Sequence, residues 1–165
     1  MNLLPLPISP TDALGKIIVP GFTALPSNMD TPEARLLVLA TFIQETELRT
    51  RQQDGGPARG LGQMQYNCVL DVMHNRASGN FVWNLCGVLG ITYGSHAIFD
   101  ALLTKDEMAA CMTRLAYWCD PRPLPDVGDL MGAWGAYERV QRPGKPSYTR
   151  WKNIAYPQAL AVIQA

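Results

Sequence analysis

Thr31 to Ile43 is the stretch that most restricts how this chain can fold. Asp30 or Thr31 can cap a helix that has Pro32 in its first turn and Glu33 close by. Within it Ala34, Leu36, Leu37, Val38, Leu39, Ala40, Phe42 and Ile43 put apolar side chains on nearly every side. A helix of that kind has no face to give to water, so it belongs in the middle of a core. The run from Leu36 to Ile43, interrupted by Thr41, is far shorter than the roughly 20 residues that cross a bilayer. With 165 residues, 47% hydrophobic and 17% charged, the chain can bury such a helix within one domain spanning 1–165. Residues 1–29 read as an N-terminal extension, with a short helix between Ser9 and Leu25 interrupted by Gly15 and Pro20.

Breakers divide the remainder into several helical segments and few plausible strands, which makes the fold mostly α. Polar residues from Glu47 to Arg59, with Gly55, Gly56 and Pro57, predict a loop or small hairpin after the apolar helix. Asn67–Arg76 and Phe81–Leu89 read as two short helices broken by Ser78 and Gly79. Thr104 with Glu107 forms a capping-box pattern ahead of Met108, Cys111, Met112, Leu115 and Trp118 at helical spacing. Three prolines between Asp120 and Pro125 end that helix. Asp126–Val140 gives a further helix, Arg142–Pro146 a stiff turn, and Pro157 opens a last helix running through Ile163.

Charge and motif content narrow the function. Fourteen Lys plus Arg balance fourteen Asp plus Glu, which leaves no broad positive field for a nucleic acid. Met1–Pro10 carries three prolines and no Lys or Arg, unlike the basic start and unbroken apolar run of a secretory signal. The four cysteines form no CxxC pair and read as buried free thiols, while His74 and His96 lack partners at metal spacing. No nucleophile-elbow GxSxG occurs, and the glycines around Gly60 lack the setting of a phosphate loop. Neither cofactor nor metal is expected.

Glu45 stands where the apolar helix gives way to the polar, glycine-rich segment. A carboxyl held against apolar walls keeps its proton to higher pH and suits general-acid work on a glycosidic bond. Spacing alone equally allows a helix-terminal carboxylate paired with Arg49 or Arg59. Glu47 would point about 200° away from Glu45 on a continuing helix and reads as solvated. Arg139, Arg142, Lys145, Arg150 and Lys152 make the C-terminal third locally basic, either toward an anionic wall polymer or as a solvated face.

Glu45-Thr46-Glu47-Leu48, followed by Gly56-Pro57-Ala58-Arg59-Gly60-Leu61-Gly62-Gln63, resembles the signature of soluble lytic transglycosylases in the lysozyme-like superfamily. That family places a Glu-Ser pair fifteen residues before a Gly-Leu-Met-Gln segment; the same spacing separates Glu45 from Gly60. The likeness covers about nineteen residues, with Thr46 in place of the Ser and Gly62 in place of the Met. Ala133-Trp134-Gly135-Ala136-Tyr137-Glu138 is similar to the family's Ala-Tyr-Asn-Ala-Gly stretch, whose tyrosine lies beside the catalytic acid. Tyr137 takes that place, or Trp134 in the alternative register, and either also fits as a core aromatic. Asp54, nine residues after Glu45, resembles the second carboxylate of T-even phage lysozymes, although Gly60 stands where they carry Thr. Asp54-Gly55-Gly56 is also an ordinary turn signal.

The resemblance implies a two-lobed lysozyme-like domain that cuts the β-1,4 bond between N-acetylmuramic acid and N-acetylglucosamine in peptidoglycan. It implies Glu45 as general acid and base, with Thr46, Gln63 and Tyr137 binding substrate. Acting alone, Glu45 would leave a 1,6-anhydro product; with Asp54, the reaction would be a hydrolysis. The implied setting is a phage endolysin released through a holin, or a virion-borne protein, acting on the wall as a monomer without membrane insertion. From another class, a non-catalytic glycan-binding or virion structural module would retain the same fold.

Overall fold

The computed structural model describes residues 3–165; Met1 and Asn2, which begin the stretch weighed as a signal, lie outside them. Helix is the dominant structure, and no β-strand occurs among the described residues. After two short helices, α1 (Pro10–Ala13) and α2 (Val19–Phe22), the apolar segment forms α3, Pro32–Thr46. Thr31 caps it by accepting from the Ala34 N–H at 3.2 Å, with Pro32 at the first position. From Leu36 through Gln44 every α3 residue is buried, as an all-round apolar helix requires.

Around α3 pack the N-terminal helical stretch 10–22, α7 (Asp106–Cys119), α8 (Leu130–Gln141) and the C-terminal stretch 148–164. Against α7 in turn lie α4 (Tyr66–His74), α5 (Gly79–Leu89) and α6 (Ser95–Thr104). Their apolar faces join one continuous core that includes Ile17, Leu39, Val69, Leu85, Met112 and Trp151. No helix of the described residues is long and apolar enough to cross a membrane.

Both terminal stretches contain a proline where a regular α-helix would be broken, and both solve the problem in the same way. A π-turn, Leu14–Ile18, precedes Pro20, and another, Trp151–Ala155, precedes Pro157. In each the backbone reaches one residue further back: Val19 N–H donates to Leu14 O, and Tyr156 N–H to Trp151 O. A widened turn just before the ring relieves its clash with the preceding turn. The N-terminal helical stretch therefore runs through Gly15 and Pro20, and Pro157 stands in the first turn of the last α-helix, Tyr156–Gln164, as expected, with the π-turn joined on ahead of it.

Other boundaries also move. Thr104 ends α6, a helix absent from the sequence reading, and Lys105 precedes α7 without a side-chain cap, so the capping box does not form. Gly79 is the first residue of α5, and a Cβ there would meet Met73 O at 2.7 Å, so only glycine fits. Ser78 is buried and donates to Val72 O at 2.6 Å. Residues 126–129 remain outside α8, which Asp129 caps by accepting from the Gly132 N–H. All four cysteines are free, but only Cys86 and Cys111 are buried; Cys68 and Cys119 are half-buried.

Between α3 and α4 the chain makes a compact loop with isolated antiparallel bridges, Gln52 to Arg59 and Arg59 to Met64. Arg51 anchors it by a bidentate pair to the buried carboxylate of Asp106, 2.7 and 2.6 Å, and a third bond to Leu4 O. The loop is thereby fastened both to α7 and to the N-terminal segment.

Candidate active site

Glu45 lies in the last turn of α3, one residue before the helix ends at Thr46. The chain leaves the helix through two left-handed residues, Glu47 (φ 50°) and Leu48 (φ 58°), a conformation that costs a non-glycine residue about 1 kcal/mol or more. Thr46 pays for part of this locally, since its hydroxyl accepts from the Leu48 N–H at 3.2 Å. The same hydroxyl donates to Phe42 O at 2.9 Å and lies 3.3 Å from Leu61 O, pinning the 60–63 turn to the end of the helix. Gln63, also left-handed at φ 47°, donates its side-chain amide to Gly60 O at 2.8 Å.

A cleft of about 1190 Å³ opens along this junction. Glu45, Thr46, Asp54, Gln63 and Tyr137, far apart in sequence, all line it. Of the four non-glycine residues with positive φ among the described residues, three, Glu47, Gln63 and Arg142, line it too. Backbone strain concentrated in one groove is a common property of functional sites.

Tyr137 is the aromatic beside Glu45. Its hydroxyl donates to Glu45 Oε1 at 2.5 Å, while the residue is 2% exposed. Trp134 instead packs against Tyr137, Tyr148 and Trp151 and takes no part in lining the cleft. Trp151, in the π-turn, stacks on the Tyr137 ring with centroids 4.8 Å apart. Behind the pair, the buried Tyr117 hydroxyl bonds Thr41 Oγ1 at 2.7 Å, and Thr41 in turn donates to Leu37 O.

Burial pushes the Glu45 carboxyl above its ordinary value of 4.5, opposed by the Tyr137 hydroxyl and by the positive charge of Arg150. The Tyr137 hydroxyl is itself pushed far up, by burial first and then by the Glu45 charge, so it remains a donor. The groove thus holds a half-buried carboxyl with a raised affinity for its proton and one fixed donor. That is the equipment of a general acid that must also survive as a carboxylate.

Neither arginine weighed as a partner for Glu45 approaches it. Arg49 pairs with Glu47 at 3.3 Å and Arg59 with Asp100 at 2.5 Å. Asp54 is exposed at the loop's turn, next to Gly55 (φ 64°), on the same cleft. Glu47 is exposed but not idle: it also receives Arg150 at 2.9 Å.

Three contributors were not singled out in the sequence. Arg150 donates to Ile43 O at 3.1 Å, satisfying a carbonyl of the last turn of α3 while holding positive charge near Glu45. Gln44 donates to Ser147 O at 3.2 Å, and its buried Oε1 has no protein partner. Gln141 also lines the cleft, with a buried Nε2 likewise unpaired. Only Arg150 had any sequence signal, as one of five basic residues in the C-terminal third, and that signal did not point inward.

The chain matches no family model, and neither a curated protein nor a solved structure is significantly similar to it.

Proposed function

We propose that the protein is a peptidoglycan-cleaving enzyme with a lysozyme-like fold, acting as a lytic transglycosylase through Glu45. The observation that carries this reading is the Tyr137 hydroxyl on Glu45 Oε1 at 2.5 Å, in a cleft also lined by Gln63. The fold reading is supported by the wrapped central helix that ends at the carboxyl, and by the anchored loop that follows it.

In this mechanism Glu45, protonated at the start, gives its proton through Oε2 to the glycosidic oxygen as the bond to C1 breaks. Charge then rests on the Glu45 carboxylate, where the hydroxyl of Tyr137 and the guanidinium of Arg150 stabilise it. The muramoyl 6-hydroxyl attacks C1 from within the same sugar, and its proton returns to Glu45. The O6–C1 bond replaces the glycosidic bond, so no water is consumed and no second carboxylate is needed. Gln63, Gln44 and Gln141 would meet the sugar's hydroxyl and acetamido groups along the groove.

Asp54 on the same cleft supports a second reading, a hydrolase in which Asp54 directs water or stabilises the cation. Its exposed turn position favours the one-carboxyl reaction. A third reading keeps the fold and the groove without catalysis. Clearing of permeabilised bacterial cells by purified protein tests the proposal: wild type is expected to clear them and Glu45→Gln to fail. Absence of clearing by wild type would leave the non-catalytic reading.

A further inference from the structure

A second cavity of about 540 Å³ lies beside the cleft, between the C-terminal half of α4, the end of α7 and α8. Cys68, Asp71 and Arg142 line both spaces. At this border Arg142 Nη2 meets Asp71 Oδ2 at 2.9 Å, with both side chains largely exposed. Arg142 holds the border position from a left-handed residue at the end of α8 (φ 46°). A second pair, Arg139 Nε to Asp120 Oδ2 at 3.0 Å, lines the cavity away from the cleft. Leu70, Val72, Ala116 and Val140 supply apolar wall between the pairs.

We propose that this cavity binds the peptide branch of the wall glycan, so that the preferred substrate is a peptide-bearing strand; this rests on the function proposed above. The chemistry of the lining decides for a peptide over further sugar. Among the described residues no Trp, Tyr or Phe lines the cavity, and His74 is its one ring, so the broad aromatic platform on which a pyranose stacks is missing. Two preformed Arg–Asp pairs suit a ligand that carries both carboxylate and ammonium groups, each finding its opposite sign. The Arg142–Asp71 pair, largely exposed, is held weakly and can open toward a ligand, while the more enclosed Arg139–Asp120 pair offers a fixed charge of each sign. Apolar wall between them accepts short alkyl side chains such as that of alanine, and the volume is that of a small-ligand site. The shared border places the branch where a strand lying in the cleft would carry it.

Rates on purified glycan strands bearing their peptides, compared with the same strands stripped by an amidase, test the assignment. Wild type should show a kcat/KM about tenfold higher on the peptide-bearing strands, the size of one charge-assisted contact. Arg139→Ala should bring that ratio close to one, with binding of the free, amidase-released peptide weakened in parallel. Arg139 is partly exposed, so the variant is expected to melt with wild type; if it does not, Asp120→Asn carries the same comparison. A wild-type ratio of one, or a ratio untouched by both substitutions, overturns the peptide site while leaving the enzymatic reading intact. Failure to cut either strand overturns the proposed function itself.

Discussion

Trp151 lies stacked on Tyr137, ring centroids 4.8 Å apart, so the residue that bonds Glu45 is held in place by the π-turn of the last helical stretch. The relationship links a core residue to the chemistry of the groove. Trp151 is 0% exposed and its indole N–H has no protein partner. Trp151→Ala should therefore cost about 3–5 kcal/mol of stability and also release Tyr137. Trp151→Phe removes the unpaired donor and keeps a ring for stacking, so it should retain most of the activity. Paired melting curves and wall-clearing rates check both; activity unaffected in a folded Trp151→Ala protein would break the link.

Tyr137→Phe removes the hydroxyl that favours the charged form of Glu45. With that opposing pull gone, burial raises the carboxyl further, and its protonated form persists to higher pH. The alkaline limb of the kcat/KM profile should move upward while the rate falls about tenfold or more, the value of one hydrogen bond to a charged group. An alkaline limb shifted downward, or a rate equal to wild type, would contradict the assigned role.

Glu45 also leaves a pH signature on stability. Its carboxyl is raised on folding, chiefly by burial, above the ordinary 4.5. A group raised in this way contributes its full stability below the unfolded value and loses it as pH climbs through the folded value. As the pH rises above the ordinary 4.5, the melting temperature of wild type should thus fall relative to that of Glu45→Gln, which has no titrating group at this position. A constant gap, or a wild type that gains on the variant with rising pH, would show that the carboxyl is not held against its charge.

Gly62 occupies the position at which the signature it resembles carries Met. A Cβ on Gly62 would lie 2.5 Å from Thr113 Oγ1 and 3.3 Å from Phe42 Cε1. Gly62→Ala should destabilise by about 1–3 kcal/mol through overpacking, and Thr113→Ala should recover much of that loss. Chemical denaturation of the two single variants and the double variant measures the coupling; strict additivity would mean that Thr113 is not the obstacle.

What the sequence disclosed followed from local physics. The α3 core helix, its start at Asp30 or Thr31 and the loop after Glu47 were readable because apolar crowding, capping and glycine content act within a few residues; folding selects Thr31 as the cap. Pro20 misled, and the helical stretch ahead of Pro157 was missed, since both prolines sit behind π-turns that a pattern of periods 3.6 and 2 does not contain. At Thr104 a capping pattern was overridden because the residue serves the end of α6. In the candidate site, Glu45 and Tyr137 were both nameable, but only folding distinguishes Tyr137 from Trp134 as the residue on the carboxyl. Arg150 was out of reach for sequence reading: its contacts to Ile43 O and Glu47 cross more than a hundred residues of chain.

The most direct measurement is the mass of the fragments released from purified peptidoglycan by wild type and by Glu45→Gln. The account predicts muropeptides one water lighter than hydrolytic products from wild type, and none from the variant. Fragments of full hydrolytic mass would contradict the one-carboxyl reaction, and equal release by the Glu45→Gln protein would contradict the role given to Glu45.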